Sequence, residues 1–350
     1  MKQKHSQPSY EGAQEQYATL GIDTERVLEE MQDFHLGLPC LPTDDVDAMR
    51  GELFEAMHQL PGTHRVALNL SCLDDVEDWI EWGHRHHIKL DFDVTDATLP
   101  QADTLTLAHP NNQTRAFWVD TLKRCREAAN AIGAAQQSPC VVNIPINDGP
   151  KDFSVERSLY RDLLSESLDQ IFDRKYRWMK DSLMPCKADA AHDSNGSGTE
   201  DFCLGYAVAN RKMMTLDTGR CDASATKMAD KMSAMLCHLP GVVLLLTDNP
   251  KPELFHEVVR SGSMHRVQFA LDGSDLAGSY VEKLVMRART AQQRMLRALL
   301  EPIALLHTYE INGFRDEELS LFEKYKTLPW SRIYEELCER ETFFYHELEN

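Results

Sequence analysis

Short apolar runs alternate with longer amphipathic stretches along most of this chain. The runs are FHLGLP (34–39), RVALNLS (65–71), IKLDFDVT (88–95), CVVNIPIN (140–147), MMTLDTG (213–219), GVVLLLTD (241–248) and HRVQFALDGSD (265–275). Between them lie stretches of helical period, such as VEDWIEWGHRH (76–86) and WVDTLKRCREAANAIGAA (118–135). A further strand is expected near 177–183, RWMKDSL, although its lysine and aspartate dilute the apolar signal. Apolar strands separated by helices imply a parallel sheet covered on both faces. Eight such units in a chain of this length predict an α/β fold, a (β/α)8 TIM barrel.

Residues 1–20 are polar and read as a flexible N-terminal arm, and 21–275 as the barrel. From 276 to 350 the pattern is helical throughout, which predicts an extra C-terminal helical region packed on the barrel or on a neighbouring subunit. KADAAHDSNGSGTED (187–201) is small and polar and reads as a loop.

Composition narrows the partners. The 350 residues include 37 basic and 56 acidic ones, for a formal charge of −19. That balance argues against nucleic acid and anionic membrane surfaces. No run approaches ~18 apolar residues, so no membrane span is expected. The N-terminal stretch lacks an apolar signal core, and the nine cysteines show no CxxC pairing. A cytoplasmic protein with reduced thiols is expected.

Barrel chemistry sits at C-terminal strand ends. The polar residues placed there are Asn69, Asp91, Asp93, Asn143, Asp148, Asp217 and Asp272. TLDTGRCDA (215–223) is the most pointed of these segments, because a histidine after the strand-end aspartate would complete a metal pair. The residue is Arg220, whose guanidinium has no lone pair to donate.

Several longer blocks identify a relationship. DWIEWGHRHHIKLDFD, TLTLAHPNNQTRAFWVD, NIPINDGPKDFSVER, DKMSAMLCHLPGVVLLL, MLRALLEPIALLHTYE and KTLPWSRIYEELCER resemble the L-rhamnose isomerase family, in order, from about 21 to 340. The resemblance implies a (β/α)8 barrel, oligomeric assembly, and two divalent cations, usually manganese, that assist aldose–ketose isomerisation. Carried over by position, the ligands of one cation become Asp217, Asp272, Lys180 in place of a glutamate, and Thr247 in place of a histidine. For the second cation the histidine is Arg220, and the loop holding its aspartates is shortened to TDNPKPELFHEVV. There Asp248, His256 or Glu257 would serve only with a rearranged backbone.

These departures predict a degenerate site, in which Lys180 faces Asp217 and Asp272 and replaces the cation. The expected protein is a rhamnose-isomerase-like barrel that has lost metal-dependent turnover, needs no cofactor, and serves a structural, regulatory or sugar-binding role. It would assemble with itself or with an active relative. Two alternatives stand beside it. One is an active sugar isomerase using manganese on Asp217, Asp272, Asp248 and His256. The other is a metal-independent enzyme using Asp217, Asp272 and Lys180 for acid–base work.

Overall fold

The computed structural model describes residues 10–19, 22–43, 45–94, 106–146, 156–185, 197–219, 225–273, 276 and 278–310. The chain divides into two compact units, one of Glu29–Leu296 and one of Met1–Leu28 with Arg297–Asn350. The first holds eight parallel strands closed into a barrel in sequence order. They are β1 (Leu36–Pro39), β2 (His64–Leu68), β3 (Lys89–Asp93), β4 (Cys140–Pro145), β5 (Met179–Met184), β6 (Met213–Asp217), β7 (Val242–Leu246) and β8 (Val267–Leu271). All eight expected strands are present, including the weakly signalled β5.

The helices are α1 (Tyr10–Thr19), α2 (Thr24–Gln32), α3 (Val46–His58), α4 (Val76–His86), α5 (Asn112–Ala135), α6 (Arg157–Ile171), α7 (Glu200–Asn210), α8 (Ala225–His238), α9 (Pro252–Arg260) and α10 (Tyr280–Glu310). The barrel unit runs past 275, because it includes α10 as far as Leu296. α1 gives the N-terminal arm a helix from Tyr10. No described helix is long and apolar enough to cross a membrane.

Strand residues alternate between two environments. Leu36, Leu38, Leu90, Phe92, Leu183, Leu244 and Phe269 are buried, as are Trp79, Leu122, Ile132 and Leu168 on the helices. The apolar faces of α4, α5 and α6 and the outer face of the sheet thus form a core layer that stabilises the barrel. Close approach is needed in places. A Cβ on Gly133 of α5 would lie 1.8 Å from the Trp178 carbonyl oxygen, so only glycine lets this helix rest against the start of β5.

Inside the barrel the residues are more polar. Val141, Met213 and Val243 make a small apolar cluster. Beside it, Arg65 of β2 donates to Asp91 of β3 from Nε at 2.5 Å and Nη2 at 2.7 Å. Asp91 also accepts from Gln268 of β8 at 2.5 Å and from the Val141 amide at 2.8 Å. β3 and β8 are not neighbours, so this contact spans the barrel interior. Asp91 is therefore an internal tie and not the strand-end site residue expected from sequence.

Candidate active site at the barrel mouth

Three strand ends bring the sequence-predicted residues together. Asp217 ends β6, Thr247 follows β7, and Asp272 follows β8. The registers align them, with Asp217 opposite Leu245 and Leu246 opposite Leu271. The Thr218 amide donates to the Leu245 carbonyl at 2.9 Å, and the Asp272 amide to the Leu246 carbonyl at 2.9 Å. The sheet thus continues one residue beyond the strands and fixes both aspartates on the same rim.

Local chemistry shapes each group. Asp217 is 8% exposed, and its carboxylate accepts from the Gly219 amide at 2.9 Å, an Asx turn that closes the strand end. A Cβ on Gly219 would sit 2.6 Å from the Thr247 methyl, so glycine is required for that turn to lie against β7. Thr218 Oγ1 accepts from the Thr247 amide at 3.2 Å and lies 3.5 Å from its hydroxyl. Below this rim runs a polar chain. Ser182 and Thr215 hydroxyls meet at 2.9 Å, Thr215 donates to Asn143 Oδ1 at 2.6 Å, and the Asn143 amide reaches Asp93 at 3.4 Å.

The remaining candidates separate from this group. Lys180 does not face Asp217 and Asp272, which corrects the expected cation replacement. It pairs with Val141 near the start of β5, whereas Ser182 pairs with Met213 at the start of β6. Lys180 therefore lies six residue steps below Asp217, roughly 20 Å along the strands. It is exposed. The next residue, Asp181, is buried on the other face, between Arg126 at 2.7 Å and Lys212 at 2.6 Å. That buried cluster sets the orientation of β5.

Asp248 is engaged by the Nε of Arg287 on α10. Arg287 is buried, and its Nη1 also donates to the Asp272 carbonyl at 2.5 Å. One arginine thus ties the segments that follow β7 and β8, a role its place in an amphipathic helical pattern did not signal. His256 sits in the second turn of α9 and does not join the rim aspartates in a metal-binding group. Arg220 and Asp148 lie outside the described residues.

The described positions do not assemble the two-cation centre implied by the resemblance. Among the described residues, no three His, Cys, Asp or Glu side chains gather closely enough to hold a metal ion. Asp217 turns to its own backbone and Asp248 to Arg287. The alternative set of Asp217, Asp272, Asp248 and His256 is not assembled. The described residues do not fit the centre.

Solved structures share this barrel fold. The 3-keto-D-glucoside 4-epimerase YcjR from E. coli superposes with a TM-score of 0.52 at 12% identity, covering 73% of this chain and 98% of that one. A D-allulose 3-epimerase from Methylomonas sp. gives 0.52 at 12% identity, over 74% and 96%. At this identity the likeness shows the fold alone.

Sequence comparison is more specific. A family profile described as L-rhamnose isomerase (RhaA) matches residues 47–347. The L-rhamnose isomerase of Bacteroides thetaiotaomicron is 37% identical over 96% of this chain and 93% of its own length. That of Rhodopirellula baltica is 30% identical over 95% and 90%. This chain belongs to the L-rhamnose isomerase family. The alignment with the Bacteroides protein spans 391 positions against 350 residues here, so the relative holds segments without a counterpart.

Proposed function

We propose that this protein is an aldose–ketose isomerase that converts L-rhamnose, or a closely related sugar, to the corresponding ketose. The observation that carries the reading is the near full-length match to an L-rhamnose isomerase at 37% identity. The rim supports it with the carboxylates of Asp217 and Asp272 and the hydroxyls of Thr218 and Thr247 at adjoining strand ends. Isomerisation moves one hydrogen between C1 and C2 and redistributes protons among their oxygens. Carboxylates serve as acceptors for such hydroxyls, and a barrel mouth holds a polyol between several strand ends.

The expectation of a non-catalytic barrel gives way as the first reading, because the near full-length relatives are L-rhamnose isomerases. One observation still favours it as a second reading. Arg287 occupies Asp248, a carboxylate that the metal-dependent alternative requires. Manganese dependence and assembly into homo-oligomers, or mixed oligomers with an isomerase relative, are proposals that rest on the family resemblance.

The test is conversion of L-rhamnose to L-rhamnulose by purified protein, first chelated and then supplied with manganese. Ketose above a host-enzyme control supports the isomerase reading. A folded protein that forms no ketose under either condition overturns it and leaves the second.

A further inference from the structure

The sequence spacing gave no reason to associate Cys40 with Cys72, which are 32 residues apart, but the fold places their sulfurs 3.8 Å apart. Cys40 follows β1, and its amide donates to the Ala67 carbonyl of β2 at 2.9 Å. Cys72 ends the 3-10 turn Leu70–Cys72 just beyond β2. Asn69 connects the two segments. Its amide nitrogen donates to the Cys40 carbonyl at 2.8 Å, while its Oδ1 accepts from the Ser71 amide at 2.9 Å and the Ser71 hydroxyl at 2.6 Å. Both thiols are buried, at 5% and 2% exposure, and Cys40 leads directly into half-buried Leu41 and exposed Pro42.

The two sulfurs are chemically unequal. Either sulfur can donate across the contact, which raises the Cys40 pKa and lowers that of Cys72. Burial adds to the rise at Cys40 and opposes the fall at Cys72. By contrast, burial pushes the Cys125 thiol up to about 12 and raises Cys140 as well. A thiolate next to a thiol is the arrangement in which an attacking sulfur and a resolving sulfur already touch.

We propose that Cys40 and Cys72 are a redox modification site that peroxide converts to a reversible disulfide joining the ends of β1 and β2 at the barrel mouth. The Cys72 thiolate attacks one oxygen of hydrogen peroxide, the O–O bond breaks, and the departing hydroxide takes up the proton lost by Cys72 to become water. The resulting sulfenic acid is attacked by the Cys40 sulfur. An S–S bond forms, the S–O bond breaks, and the leaving hydroxide takes the Cys40 proton as a second water. Two thiols are oxidised by two electrons in all, and one peroxide is reduced to two waters. The sulfurs close from 3.8 Å to a bonded separation of about 2.05 Å, within reach of side-chain rotation in the segments after the strands.

The consequence falls on the mouth. Pro39, adjacent to Cys40, accepts from the Tyr280 hydroxyl at 2.6 Å, and its ring would lie 2.9 Å from a Cβ on Gly273, the residue after Asp272. A covalent tie there restrains the β1 and β2 rim next to the β8 end. The inference does not depend on turnover, so its failure is distinct from failure of the isomerase reading.

The experiment treats the full-length reduced protein with hydrogen peroxide, blocks free thiols by alkylation, and maps peptides by mass spectrometry. The expected result is a joined Cys40–Cys72 peptide, lighter by two hydrogens than its separate parts and released by dithiothreitol. Cys72→Ser is expected to lose the joined peptide and leave Cys40 open to alkylation after denaturation. Peroxide that leaves both residues fully alkylated, or adds oxygen to either without joining them, would overturn the proposal. So would a Cys72→Ser protein whose Cys40 disappears at the parent rate. Exposed Cys237 reports in the same map whether peroxide reached the protein.

Discussion

The lower interior of the barrel and its mouth both carry aspartates, but they treat them differently. Inside, Asp91 is 3% exposed and receives four hydrogen bonds, two from Arg65 and one each from Gln268 and Val141. On the outer face of β5, Asp181 is likewise held between Arg126 and Lys212. At the rim, Asp217 is held by the amide of its own turn, and Asp272 is fixed through its backbone by Arg287. Buried charge deep in the fold is compensated by cations from distant parts of the sequence. At the rim, the backbone contacts of Asp217 and Asp272 fix where the two residues sit, and the cation Arg287 engages the neighbouring Asp248.

Substitutions can break that comparison, and the largest effect belongs to the interior. Asp91→Ala strands the Arg65 guanidinium in a buried site and is expected to cost about 3–5 kcal/mol in urea unfolding. A loss under about 1 kcal/mol would mean that the network carries no structural weight.

A pH titration of stability sharpens the same contrast near the base of β2. Burial lowers the pKa of His64 from 6.5 to about 4, with the Pro61 carbonyl opposing. Its folded-state value lies below the unfolded one, so its contribution is complete above pH 6.5 and is lost as pH falls toward 4. The full span amounts to about 3 kcal/mol. His64→Gln should flatten the melting temperature across that window relative to the parent. An unchanged slope would remove His64 from the account.

The smallest effect is expected at Lys180. It is exposed and lies far below the rim, so Lys180→Ala should unfold within about 0.5 kcal/mol of the parent. A loss of several kcal/mol would restore the idea that this lysine neutralises the rim carboxylates.

The same contrast explains what was legible in the sequence. Seven strands announced themselves through apolar runs, and even β3, KLDFD, keeps Leu90 and Phe92 alternating with its charges. β5 did not, since MKDSLM places a lysine and an aspartate in sequence neighbours. Only Arg126, 55 residues earlier, and Lys212, 31 later, make Asp181 tolerable there. The strand-end positions of Asp217 and Asp272 were legible in the pattern, and that of Thr247 only through the family resemblance. Lys180 was misplaced because strand register is set by pairing with β4 and β6, which local pattern does not encode. Arg287 and the Cys40–Cys72 pair were missed because each acts only through long-range contact.

The most direct test of the rim as the reacting site compares the parent with Asp217→Asn in L-rhamnose to L-rhamnulose conversion with manganese supplied, alongside thermal unfolding. Asparagine keeps an oxygen for the Gly219 amide while removing the charge. The expected result is turnover in the parent and a loss of about 100-fold or more in Asp217→Asn, at a melting temperature close to the parent's. Parent-like turnover in Asp217→Asn would contradict the assignment of the mouth carboxylate to the chemistry.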